Sequence, residues 1–177
     1  MAVNKIRVLI VDDIAETREN VRKLLQFESD VDVTGAARSG KEGIQLAQEL
    51  DPDVVLMDIN MPDIDGITAT EIIRQKSPHI QVLILSVQGD QNYMRKAMLA
   101  GARDFLTKPP MGDELISAIR RAGELAHAER AKSAQQRLAV GTVSGVPTSM
   151  SNFAPVTKGK IITCLLYTSD AADGDLV

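Results

Sequence analysis

Cysteine is almost absent, Cys164 being the single one in 177 residues. One thiol cannot build an internal disulfide framework, and so few cysteines fit a reducing compartment. Histidine is nearly as scarce. His79 and His127 are the two, neither has a companion at metal-ligand spacing, and both are expected at exposed or loop positions. No apolar run approaches the length of a membrane span. The opening "MAVNKIRVLI" has too short an apolar stretch for a secretion signal and lacks a small-residue cleavage site. Together these absences predict a cytoplasmic protein. Excess positive charge is missing too. The formal net charge of -4 argues against non-specific binding to nucleic acid or to an acidic membrane surface.

What is present supports one ordinary core with an appendage, given 177 residues of which 44% are hydrophobic. Up to about residue 128, short β-branched apolar runs alternate with segments of helical period. The runs are "IRVLIV" from Ile6, "VDVTGAA" from Val31, "DVVLM" from Asp53, "IQVLILS" from Ile80 and "ARDFLT" from Ala102. Three are apolar almost throughout, as strands covered on both faces of a parallel sheet are. Between them, apolar residues recur at three- and four-residue spacing, as in Val21, Leu24 and Leu25, or Met94, Ala97 and Met98. A fifth helix opens near Asp113, carries Leu115, Ile119, Ala122 and Ala126 on one stripe, and can continue to Ala139. Five βα units predict a flavodoxin-like doubly wound fold, a five-stranded parallel sheet in the order 2-1-3-4-5.

Ligands of such sheets bind beyond the carboxyl ends of the strands. The first strand ends in Asp12 and Asp13, the third in Asp58, and the fourth in Ser86, while the fifth runs through Phe105 to Lys108. A carboxylate at the end of a buried strand is costly unless it is used. Three clustered carboxylates call for a hard cation, and Mg²⁺ suits an all-oxygen donor set. One apparent phosphate loop is dismissed. "GAARSGKE" has Glu42 where the metal-binding Ser or Thr belongs, and its Gly35 falls inside the second strand. Gly40 is expected to ease the chain into the second helix, and Met57, Met61, Met94 and Met98 to fill the core.

The segments "LIVDD", "LMDINMPDIDG", "LILS" and "FLTKP" resemble, in order, the receiver domain of bacterial two-component response regulators, over Lys5 to Ala128. That resemblance implies that Asp58 is the phosphoacceptor, taking its phosphoryl group from a sensor histidine kinase. It also implies that Asp13, Asp58 and the backbone carbonyl of Asn60 bind Mg²⁺, with Asp12 reaching the metal through water. Lys108 would pair with the phosphoryl oxygens and Ser86 would hydrogen-bond one of them. Ser86 and Phe105 would form the switch, Phe105 turning inward to remodel the face made by the fourth helix, fifth strand and fifth helix. The Lys108-Pro109 bond matches a position that is cis in receivers. Pro110 departs from the family, which often has a bulky apolar residue there, and is expected near the output face at the start of the fifth helix. The rival reading is an aspartyl-phosphate enzyme of the haloacid-dehalogenase kind. Such enzymes place a second acid two residues after the nucleophile, where this chain has Asn60.

Residues 129–163 are read as a helix extension and a linker rich in Gly, Ser, Thr and Pro, followed by the vestige of a second-domain strand. There "GKIIT" is similar to the first strand of MinD-like ATPases that follow a receiver in pilus-assembly proteins of the CpaE type. Residues 164–177 begin "CLLYTSDAAD", which resembles the in-frame translation of a transposon-end adapter used for sequencing libraries. They are expected to be a disordered or artefactual tail. The partners expected are therefore the kinase and an effector, either a separate protein or a missing C-terminal ATPase domain, with homodimerisation through the extended fifth helix possible. No helix-turn-helix pattern follows the receiver, so nucleic-acid binding by this chain is not expected.

Overall fold

The apolar runs form the strands of a parallel sheet in a computed structural model that describes residues 5–87 and 91–140, with side chains to residue 135. Five strands, β1 (Ile6–Val11), β2 (Val31–Ala37), β3 (Val54–Asp58), β4 (Gln81–Ser86) and β5 (Asp104–Thr107), alternate with five helices. The helices are α1 (Ala15–Leu25), α2 (Gly40–Leu50), α3 (Gly66–Lys76), α4 (Gln91–Leu99) and α5 (Gly112–Val140). The sheet order is β2-β1-β3-β4-β5, as the alternation predicts, with every pair parallel.

Side-chain alternation splits the core into two layers. Val8, Ile10, Val54, Leu56, Leu83 and Leu85 point to one face, where Val21 and Leu25 of α1 and Leu115, Ile119 and Ala122 of α5 cover them. Leu9, Val11, Val55, Met57, Val82 and Ile84 point to the other, under Ala47, Ala69, Ile73 and Ala97 of α2, α3 and α4. Both layers need apolar residues at every strand position, hence the unbroken runs. The winding reverses between β1 and β3. Val11 pairs with Met57 there, so the next residues of the two strands, Asp12 and Asp58, emerge side by side at one edge.

Three expectations need correction. In α4 only Ala97 is buried, and Met94 and Met98, expected in the core, are each 41% exposed. The small Ala97 sets a close approach to the sheet, which leaves the methionines on the flanks. Pro110 is not at the start of α5, which begins at Gly112. Gly40 opens α2 as expected, and it has a packing reason as well, given below. Finally, His127 is neither exposed nor in a loop. It is half-buried in α5 with Nε2 3.3 Å from Asp53 Oδ2, while the loop residue His79 is half-buried with Nε2 2.6 Å from Asp51 Oδ1.

The apolar stripe of α5 fades after Leu125, yet the helix continues, because polar contacts replace it. Arg130 Nη2 donates to the carbonyls of Asp51 (2.6 Å) and Pro52 (3.1 Å), and Gln81 Nε2 donates to Glu129 Oε2 (3.1 Å). The loop before β3 therefore holds the second half of α5 at the sheet edge opposite Asp58. The linker, the strand expected at Lys160–Thr163 and the tail from Cys164 lie outside the described residues.

Candidate functional site

Asp12 continues the β1 ladder by one bond, its N–H donating to the Ala37 carbonyl at 3.1 Å. Its side chain is thereby aimed along the strand end and is almost fully buried. Oδ1 accepts from the Ile14 N–H (2.8 Å) and Oδ2 from Lys108 Nζ (2.5 Å). Arg18, one turn into α1, donates to the Asp12 carbonyl at 2.6 Å and so holds the peptide that joins the two acids. Asp13 is exposed.

Asp58, 5% exposed, is the last residue of β3, and its Oδ1 accepts from Lys108 Nζ at 2.7 Å. The chain must then turn sharply into α3. Gly66 makes this possible, because a Cβ there would lie 1.9 Å from the Asp58 carbonyl oxygen, and its N–H donates to the Ile59 carbonyl at 3.0 Å. Lys108 follows β5, with its N–H donating to the Ser86 carbonyl at 2.8 Å and a cis bond to Pro109. The ends of β1, β3, β4 and β5 thus converge.

Oxygens of Asp12, Asp13 and Asp58 lie within 4.8 Å of one another. One ammonium faces three carboxylates, which leaves an excess of negative charge. Burial pushes the Asp58 carboxyl above its ordinary pKa, more than the Lys108 hydrogen bond lowers it, and repulsion from Asp12 and Asp13 adds to the rise. For Lys108 burial is the largest single influence and favours losing the proton, but Asp12 and Asp58 together outweigh it and hold the ammonium above its ordinary pKa. The two shifts agree. The cluster keeps its one cation and resists its third anion, so a further cation would relieve it. The donors are all hard oxygens, which fits Mg²⁺.

A cleft of about 430 Å³ opens beside the cluster, lined by Asp13, Ile14, Thr17, Asn60, Lys108 and Pro110 among others. The sequence-predicted Asp12, Asp13, Asp58 and Lys108 are thus in mutual reach, and exposed Asn60 lines the same cleft. Ser86 is fully buried at its strand end, joined to Lys108 through the backbone. Phe105 is not at the cluster. It is 8% exposed, already turned inward against the α4 layer of the core. Pro110 lines this cleft together with Thr17, Asn20 and Val21 of α1. Sequence reasoning missed Arg18. Its signal was available, an arginine six residues after Asp12 on the first turn of the first helix.

Comparison with known proteins adds four findings. The family model described as "Response regulator receiver domain" matches residues 8–120. The transcriptional regulatory protein DegU of Brevibacillus brevis is 37% identical over 117 residues, which are 66% of this chain and 50% of that protein. Among solved structures, the response regulator domain of Thermotoga maritima CheB is 36% identical with a TM-score of 0.64, covering 68% of this chain and 97% of that one. The CheX-CheY-BeF3-Mg+2 complex from Borrelia burgdorferi is 26% identical with a TM-score of 0.60, covering 64% and 85%. The chain spans about half the length of the curated relatives it matches.

Proposed function

This chain belongs to the response regulator receiver domain family, and from that premise we propose that Asp58 is its phosphoacceptor, loaded by a sensor histidine kinase with Mg²⁺ bound at the acidic edge. The observation that carries the reading is Lys108 Nζ bridging Asp12 and Asp58 at the ends of converging strands. In the transfer, Asp58 Oδ forms a bond to phosphorus as the phosphorus–nitrogen bond of the phosphohistidine breaks, and the imidazole keeps that electron pair. Such a step asks for positioning and charge neutralisation. Asp13, Asp58 and the Asn60 carbonyl would hold the metal, with Asp12 acting through water. When bound, Mg²⁺ neutralises the incoming phosphoryl oxygens. The Borrelia structure, a complex that contains BeF3 and Mg+2, supports the reading of a site that takes the metal and a phosphoryl-like group.

Lys108 leaves its two carboxylates to pair with a phosphoryl oxygen, and the buried Ser86 hydroxyl takes another. Movement of the Ser86 loop against Phe105 is the switch that alters the α4–β5–α5 face, where Met94, Met98 and Leu99 stand exposed. The kinase approaches over the cleft, whose rim carries exposed Ile14 and Val87. The effector is a separate protein or a following domain, an ATPase by the sequence reading, and the α5 extension offers a surface for homodimerisation. Among the described residues no helix is long and apolar enough to cross a membrane. We read the chain as a phosphoacceptor and not as an enzyme, since the Asn60 amide does not ionise near neutral pH and cannot serve as the general acid–base that such a phosphatase places there.

Beryllofluoride with Mg²⁺ tests this directly. A bound fluorine NMR signal is expected in the wild type and not in Asp58→Ala. No bound signal in the wild type, at concentrations that saturate other receivers, would refute the reading.

A further inference from the structure

The loop after Asp58 is fastened to a helix it does not precede. Asp63, exposed and midway along this loop, accepts hydrogen bonds from the first two amides of α2, Gly40 N–H to Oδ1 at 3.0 Å and Lys41 N–H to Oδ2 at 2.9 Å. These donors have no partner inside their own helix, because the first turn of any helix leaves its N–H groups unpaired. A carboxylate there also meets the positive end of the helix dipole. The amide of Lys41, with those of Ile64 and Gly40 and the Ser39 hydroxyl, holds the Asp63 carboxyl far below the usual carboxylate range.

A second contact fixes the same docking. A Cβ on Gly40 would lie 2.3 Å from the Ile64 carbonyl oxygen, so only glycine lets the loop backbone rest on the helix start. The other helix ends beside the cluster are organised differently. Asp65 caps α3 from within its own loop, accepting from the Ile67 and Thr68 amides at 3.0 Å, and α1 has no side-chain cap at Ile14. The Asp63 link joins the phosphoacceptor loop to a distant element, across 23 residues of sequence.

We propose that Asp63 is a positioning residue for the metal site, pinning the loop so that the Asn60 carbonyl is held in place before Mg²⁺ arrives. This rests on the reading of Asp58, Asp13 and Asn60 as the metal-binding set. Pinning removes loop freedom that the metal would otherwise have to freeze out, and partners one step beyond the ligands typically change metal affinity by about 10- to 100-fold.

The test is Mg²⁺ titration of the full chain by calorimetry, with urea unfolding of each variant. Asp63→Ala should weaken Mg²⁺ binding about 10-fold, near the low end for such partners. Asp63→Asn, which keeps one acceptor oxygen, should fall between it and the wild type. Glu42→Ala is the control. Glu42 lies in the same first turn of α2, but its carboxylate is engaged by Arg38, whose N–H it accepts at 2.9 Å and whose guanidinium lies 3.8 Å away. It should lower stability and leave Mg²⁺ affinity alone. If Asp63→Ala loses stability with Mg²⁺ affinity unchanged, or if Glu42→Ala weakens Mg²⁺ equally, Asp63 is a helix cap only and the proposal is overturned. Failure of the wild type to bind Mg²⁺ would instead overturn the metal-site reading itself, and this proposal with it.

Discussion

Replacing Lys108 by Met keeps most of the side-chain volume and removes the charge. The structure then predicts a specific deficit. Lys108 is the ammonium paired with Asp12 and Asp58, at 2.5 and 2.7 Å, and the three side chains are 9%, 4% and 6% exposed. Removing one partner of a buried pair costs about 3–5 kcal/mol, because the charges left behind are neither paired nor hydrated. Two carboxylates are stranded here, which argues for the upper end. Asp58 can escape by protonation, its pKa being raised already, which argues for the lower. About 3 kcal/mol at pH 8 is expected, a drop of about 1.5 M in the urea midpoint at a slope of about 2 kcal/mol per M. The sign with pH follows from each group. Lys108 has a raised pKa, so its contribution is complete below 10.5 and is lost only as pH rises through the folded value. Asp58, also raised, favours the folded state most below 3.8 and loses that advantage as pH rises through its folded value. The mutant deficit should therefore shrink from pH 8 to pH 5. Mg²⁺ should stabilise the mutant more than the wild type, since the metal no longer meets an ammonium in the cluster. A deficit below about 1 kcal/mol, or one identical at pH 5 and pH 8, would refute this account of the cluster.

Mg²⁺ affinity should fall as pH is lowered, and the fall should begin above the ordinary carboxylate pKa of 3.8, because the metal competes with a proton that Asp58 holds more tightly than usual. Calorimetric titrations from pH 8 to pH 5 check this, and Asp58→Asn should flatten the dependence. Gly66→Ala should destabilise the domain by about 3 kcal/mol, the upper range for overpacking, because the new methyl meets the Asp58 carbonyl and not a movable side chain. Urea unfolding measures the loss, and a variant within 0.5 kcal/mol of the wild type, roughly the scatter of neutral substitutions, would contradict the close approach.

The sequence made the strands and the acid edge legible for one reason: both faces of the sheet are covered. Val54 to Met57 must then be apolar without a break, and Asp58 stands out as the residue that ends the run. The helices were harder. Three- and four-residue spacing locates Met94, Ala97 and Met98 on one side of α4, but it cannot tell that a nine-residue helix buries only its smallest member. The continuation of α5 past Ala128 was expected, but what holds it was hidden, because Arg130 and Glu129 read as surface charges until the loop at Asp51–Asp53 and Gln81 are placed under them. Asp63 and Gly40 were opaque for the same reason. Each looks like ordinary turn chemistry, and their relation exists only once the β3–α3 loop and the start of α2 are neighbours in space.

The most direct test of the central claim is the intact mass of the chain after incubation with acetyl phosphate, with and without Mg²⁺, for the wild type and Asp58→Ala. The account predicts one phosphoryl adduct on the wild type that requires Mg²⁺ and is absent from the mutant. An adduct that persists in Asp58→Ala, or one that forms equally well without Mg²⁺, would contradict it.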